Sequence, residues 1–240
     1  AAEEGIELVE GQSPWPAQWG EDHVQFVAPS TYSLTFNLAT NFIQNFSPQD
    51  GESITGLFRV PRALLVFKQN HIYRIYGSFW ADAYPAYNVG TFSQESIIQA
   101  KDGIYFHHSS GFYKFTYDSQ PVEISRRVID FVKAIPRTYY GDITGVWDGF
   151  DAVLWAVGPV TVEGVTYSNC VMRYTISTQV WTIYDYPGTI TAMVRFDNGT
   201  TIDSIFGFNA GNFGILDSGT TDFGAPIYFE SIDRWRSFTE

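Results

Sequence analysis

Four histidines and 26 acids are the side chains in this chain that chemistry would draw on first. His107 and His108 form the one histidine pair. Neighbours on a strand point to opposite faces, so two adjacent rings do not converge on one metal ion. The pair reads as part of a solvated turn. His23 and His71 have no Cys, His or carboxylate at a ligand spacing, and zinc is not expected. Asp197 to Asp203 and Asp217 to Asp222 are rich in oxygen ligands but lack the alternating acids and distal Glu of a calcium loop. Asn, Asp, Gly and Thr in that density predict β-turns. A glycosidase would need two carboxylates facing each other across a sugar, about 5–9.5 Å apart. Asp82, Asp142, Asp148, Asp151 and Glu163 are the available acids, with Trp80, Tyr84, Tyr87 and Trp147 as rings on which a sugar would stack. No pair among them is singled out by spacing. The chain has neither a Gly-x-Ser-x-Gly elbow nor a phosphate loop, and Cys170, beside Val171 and Met172, reads as a small buried hydrophobe. No catalytic, cofactor-binding or metal-binding residue is therefore assigned, and the chain is read as a non-enzyme.

The elements that would carry these residues are strands. Of the 240 residues 18% are aromatic, with 21 Gly and 11 Pro, whereas Leu and Lys are scarce. Strand and turn formers dominate over helix formers. No apolar run approaches the ~18 residues of a membrane helix. A net charge of −12 argues against an extended basic surface for gripping nucleic acid. A single cysteine excludes an internal disulfide.

A repeat organises the strands. The phrases beginning at Ile54, Ile97, Ile143 and Ile190 recur about every 45 residues, and each is followed by an apolar hairpin. The hairpins are Leu65–Phe67 with Ile72–Ile75, Ile104–Phe106 with Phe112–Phe115, Val153–Trp155 with Val171–Tyr174 after a loop from Gly158 to Asn169, and Ile205–Phe208 with Phe213–Leu216. An earlier hairpin of the same phase joins Val24–Val27 to Tyr32–Phe36. First-strand anchors fall at Phe26, Phe67, Phe106, Trp155 and Phe206. A unit of ~40–45 residues made of short strands has the period of a propeller blade. Radial stacking buries both faces of such a sheet, and bulky rings fill the wedge between blades. The expected fold is all-β, a propeller of about five blades of short antiparallel strands. Six blades is the alternative if Ile227 to Phe238 forms its own partial blade. A two-domain sandwich is the competing architecture. In the five-blade reading Ile227 to Phe238 closes the ring against the N-terminal unit. One short helix is expected from Ser125, as N-cap, through Lys133, ending near Pro136. Residues 1–20 read as an N-terminal arm and 21–240 as the propeller domain.

Several phrases are familiar as a set. Ser53-Ile54-Thr55-Gly56-Leu57, the run from Leu64 to Gly77, Gly90 to Ile97, Asp102 to Phe106, Gly111 to Phe115, Ile124-Ser125 and Gly224 to Ile227 together resemble propeller proteins of tailed-bacteriophage particles. They are most similar to the tail nozzle, tail tubular and packaged-DNA-stabilisation proteins of short-tailed phages, over roughly residues 50–230. The resemblance implies a structural virion protein of the tail or head-to-tail assembly. Its partners would be other tail or connector proteins and further copies of itself in a ring around the DNA channel. It implies no cofactor, no membrane and no catalytic residue, and a chain that is a minimal version or an excerpt of a longer one. It would be made in the bacterial host cytoplasm and end in the virion. A negative wall suits a conduit, because DNA slides past without adhering. The surface loops are the expected contacts, that from Gly158 to Asn169 foremost. A carbohydrate-active or carbohydrate-binding propeller, glycosidase or lectin, is the alternative function.

Overall fold

The computed structural model describes residues 51–61, 63–76, 84–116, 119–197 and 199–215, with short strand segments at 23–26, 42–45, 221–222, 225–226 and 229–230. Residues 1–20, expected as an arm, lie outside the described residues. The chain forms two compact units, Ala1–Asn88 and Val89–Glu240.

In the first unit β1 (His23–Phe26) pairs antiparallel with β2 (Phe42–Asn45). The expected partner, Tyr32–Phe36, lies outside the described residues; the pairing with Phe42–Asn45 was not anticipated. A four-stranded antiparallel sheet follows, of β3 (Ile54–Val60), β4 (Ala63–Lys68), β5 (Ile72–Tyr76) and β6 (Tyr84–Tyr87), each strand beside the next in sequence. Leu65, Val66, Phe67 and Lys68 are all fully buried, so β4 is covered on both faces. The turn into β5 is held by Glu52, whose carboxylate accepts from the Asn70 backbone N–H at 3.1 Å, from the Asn70 side-chain amide, and lies 3.1 Å from His71 Nδ1.

The second unit repeats this plan. β7 (Ile98–Ala100), β8 (Gly103–His108), β9 (Gly111–Phe115) and β10 (Val122–Glu123) form a four-stranded meander. A 3-10 turn at Arg126–Val128 runs into the helix α1 (Ile129–Ala134), and a second 3-10 turn follows at Arg137–Tyr139. The expected helix is therefore present but shorter. Ser125 makes no side-chain cap; its Oγ instead accepts the Phe112 N–H at 3.0 Å, tying the segment to β9. The next sheet is β11 (Thr144–Trp147), β12 (Ala152–Val162), β13 (Val165–Thr175) and β14 (Val180–Asp185). A three-stranded sheet of β15 (Ile190–Asp197), β16 (Ile202–Phe208) and β17 (Phe213–Ile215) follows. A small hairpin joins β18 (Thr221–Asp222) to β19 (Ala225–Pro226), and β20 (Phe229–Glu230) adds to the outer edge of β14, with Ile183 opposite Glu230. Of Ile227 to Phe238, expected to close the ring or form a partial blade, only Phe229–Glu230 are described. These two extend an existing sheet, whose edge strand offers free backbone donors and acceptors.

The architecture is all-β with one short helix. The four repeated phrases coincide with the starts of β3, β7, β11 and β15, each the first strand of a sheet. The anchors Phe67, Phe106, Trp155 and Phe206 all fall on second strands and are buried.

Within the second unit the three sheets stack. Along β12 Val153, Trp155 and Val157 point to one side, joining Tyr105 and Phe112 of the preceding sheet and Phe131 and Val132 of α1. Ala152, Leu154 and Ala156 point to the other side, joining Met193, Phe206 and Phe208 of the following sheet. The period of two, with both phases apolar, explains why this segment reads as a continuous hydrophobic run. The sheets meet chiefly through their early strands: β11 lies against both β7 and β15, and β12 against β15.

Gly145 makes the closest of these approaches possible. A Cβ there would lie 2.5 Å from Ile98 Cδ1, 2.7 Å from Trp155 Cδ1 and 2.8 Å from the Leu154 carbonyl oxygen. Gly145→Ala should destabilise the protein by about 1–3 kcal/mol, as overpacking does. Urea denaturation checks this, and an unchanged midpoint would mean that β11 is not held against Ile98.

Candidate functional site

Two of the acids considered for sugar chemistry, Asp148 and Asp151, accept hydrogen bonds from turn backbone. Asp148 sits at the turn between β11 and β12. Its Oδ1 accepts the N–H groups of Phe150, Asp151 and Ala152 at 2.8, 3.0 and 3.0 Å, and Arg173 Nη2 lies 3.9 Å from Oδ2. Three convergent donors on Oδ1 fix the turn. Asp151 accepts from Lys101 Nζ at 2.7 Å, from the Ser177 hydroxyl and from the Ser177 N–H at 3.3 Å. Lys101 and Ser177 hold its carboxyl below the usual carboxylate range. The bridge joins the β7–β8 turn to two turns of the next sheet. Asp142 is exposed after the second 3-10 turn, and Glu163 is exposed at the β12–β13 tip. Asp82 and Trp80 lie outside the described residues, and Tyr84 and Tyr87 are placed only by the backbone of β6. Trp147 is no open platform: the Arg195 guanidinium sits 4.8 Å from its ring centroid. The structure brings Asp148 and Asp151 together in one turn.

The histidine pair requires a correction. Strand β8 continues through His108, so the turn is only Ser109-Ser110, and neither ring is solvated. His107 is fully buried between Phe112 and Tyr140, with ring centroids 5.1 and 5.0 Å away, and neither ring nitrogen has a hydrogen-bond partner. His108 points to the opposite face, with Nδ1 2.8 Å from Ser110 Oγ. Among the described residues no group of three or more His, Cys, Asp or Glu is placed to hold a metal ion.

Asp197 to Asp203 forms the expected turn between β15 and β16, where Asp197 Oδ1 accepts the Gly199 N–H at 2.9 Å. Asp217 to Asp222 falls largely outside the described residues. Cys170 lies in β13 and is fully buried, and that burial, with Asp185 nearby, pushes its thiol far above the ordinary range. Under native conditions it should resist iodoacetamide, reacting at least ~100-fold slower than in the unfolded chain; mass spectrometry of timed reactions measures this.

The segment from Gly158 to Asn169 is a second correction. It is no loop but the far half of a hairpin of two eleven-residue strands, β12 with β13, whose register shifts around Gly158 and Val160. The bulges absorb Gly158 and Pro159, which otherwise break a ladder. The tip is tight, with Glu163 and Gly164 both at positive φ, 52° and 82°. Val160 and Tyr167 are buried, and Phe131 of α1 lies 5.4 Å from Tyr167, so only the tip around Val165 stands clear.

One surface escaped the sequence. On the sheet β15–β17, Val194 lies opposite Ile205 and Ile205 opposite Ile215, while Ala192 lies opposite Gly207 and Gly207 opposite Phe213. Residues directly opposite share a face. That face is the one turned away from β12, and its Val194, Phe196, Phe213 and Ile215 are 56, 50, 71 and 43% exposed. Such a contiguous apolar patch marks an interaction surface. Its signal, apolar residues alternating in β15 and in β17, becomes legible only when the register is known.

No helix among the described residues is long and apolar enough to cross a membrane. No family model matches the chain, and no curated protein matches it.

Proposed function

We propose that this chain is a structural subunit of a tailed-phage virion, a propeller acting as a rigid spacer and docking body in the tail or head-to-tail assembly around the DNA channel. The observation that carries the reading is the repeat itself: sheets opened at a recurring spacing which, within the second unit, stack with their first strands adjacent. Sheets that meet at their first strands and carry extra strands outward have the arrangement of blades around an axis. The five-blade closure belongs to this proposal, as does the resemblance of the repeated phrases to phage tail propellers.

The candidate acids support a passive body, because Asp148 and Asp151 are engaged in turns. The covered ring of Trp147 weighs against sugar stacking. Partners would be other tail or connector proteins and copies of the chain arranged by rotational symmetry. The charge of −12 would let DNA pass without the counterion release that drives adhesion.

Antibody labelling of purified particles, imaged by negative stain, tests the reading. Label at the tail or portal vertex is expected, and label absent from particles would refute it. Native mass spectrometry of the purified chain with its tail neighbours should show a ring. A strict monomer that binds glycans would turn the case to the carbohydrate reading.

A further inference from the structure

The helical connection between β10 and β11 is a basic island in an acidic chain. Residues 125–140 carry four cations, Arg126, Arg127, Lys133 and Arg137, and one acid, Asp130. The rest of the chain carries 10 cations and 25 acids. All four cations of the connection are exposed. Among the described residues of the second unit, five of eight cations lie 2.5 to 3.9 Å from a carboxylate oxygen, Arg126 beside Glu123 among them. Arg127, Lys133 and Arg137 have none so close. Three cations left without an acid on one segment, in a chain with acids to spare, mark a surface that an external anion fits.

The backbone beneath these charges is pinned. Trp181 Nε1 donates to the Ile124 carbonyl at 3.0 Å, and Ser125 Oγ accepts the Phe112 N–H at 3.0 Å. Phe131, Val132 and Ile135 enter the core, which leaves Asp130 and Lys133 on the outer side of α1. Tyr140 closes the segment against His107 and Phe92, with ring centroids 5.0 and 5.3 Å away. Cations on a segment fixed at both ends and in the middle need little backbone ordering to bind.

We propose that this patch is one half of a head-to-tail contact between copies of the chain, and that it takes carboxylates of the next copy. The contact rests on the ring proposed above. A ring of identical subunits joins two different surfaces, so one must complement the other. A basic patch on an otherwise acidic body meets that demand with a second copy alone. Net repulsion between copies disfavours the other orientations, so the patch also sets the direction of the ring. DNA phosphate is the weaker fit. A duplex is gripped by a run of cations that displaces counterions, whereas here Glu123 and Asp130 offset two of the four and the remaining body repels a polyanion.

Carbodiimide coupling, which joins an amine to a carboxylate in contact with it, tests the proposal on a mixture of light and isotope-heavy full-length chains. The expected product is an amide between Lys133 and an Asp or Glu of another copy, identified by mass spectrometry as a mixed light and heavy peptide pair. A Lys133 link confined to one chain, or no link, would overturn the proposal. Sedimentation should show assemblies at about 0.05 M salt that come apart at about 0.5 M. The double variant Lys133→Glu with Arg137→Glu changes two exposed side chains and should weaken association at least ~10-fold. Unchanged association of the variant, or a wild-type chain that stays monomeric, would overturn it. So would retardation of a short DNA duplex by the wild-type chain that the variant loses, since the patch would then serve phosphate. Antibody label on particle tails without a Lys133 link between copies removes this contact and leaves the virion reading standing; the link without the label does the reverse.

Discussion

Stability should fall steadily as the pH drops below about 6.5, and His107→Phe should flatten that fall. His107 is fully buried, wedged between the rings of Phe112 and Tyr140, and neither ring nitrogen has a partner. Burial penalises the imidazolium most, and the neighbouring His108 adds to the effect, so the ring is held neutral down to about pH 3. The unfolded chain carries an ordinary histidine that protonates near 6.5. Between these two values the unfolded state binds the proton and the folded state does not. The contribution is therefore fully present above pH 6.5 and is lost progressively toward pH 3. Over the whole window it is on the order of 5 kcal/mol. Phe fills the same slot without two unsatisfied nitrogens, each of which costs about 1–3 kcal/mol when buried, so the variant should also gain stability at pH 7. Urea melts of both proteins from pH 4 to pH 8 give the difference directly, since the remaining histidines cancel. Parallel curves would show that the imidazole is solvated or paired after all.

Trp155→Ala should be the most damaging single change in the second unit. The indole is fully buried, 4.6 Å from Phe112, 5.9 Å from Trp181 and 6.4 Å from Tyr105 by ring centroids. Its Nε1 donates to the Ser96 carbonyl at 3.1 Å. The side chain thus joins two sheets by packing and by a hydrogen bond. Truncation leaves a large cavity and an orphaned carbonyl, with an expected loss of about 3–5 kcal/mol. Trp155→Phe keeps part of the packing and loses the donor, so it should fall between the two. Guanidinium melts followed by far-UV circular dichroism measure both. A loss below 1 kcal/mol for Trp155→Ala would mean that the sheets beginning at Ile98 and Thr144 are not packed on each other.

The repeat was legible in the sequence because it rests on local facts: an apolar pair of strands, a turn and a recurring opening phrase. The phrase at Ile97, weak by its wording, still marks the start of β7 to within one residue. What failed depended on partners distant in the chain. His-His-Ser-Ser-Gly has the composition of a turn, and only the rings of Phe112 and Tyr140 make the first of those residues core. Gly158 and Pro159 are breakers by composition, yet a bulge accommodates both while Val160 and Tyr167 bury themselves. The pairing of β1 with Phe42–Asn45 joins segments some twenty residues apart, which local pattern does not resolve. Asp197 was legible as a turn residue and is found in one, whereas the turn held by Asp148 was not read from the sequence.

The pairing of β20 with β14 also sets a timetable for synthesis. The sheet that opens at Thr144 receives its fifth strand only after the whole of β15–β17 has left the ribosome. Until then a nascent chain presents the backbone of β14 as an open template, on which a neighbouring polysome product can dock as readily as the chain's own late segment.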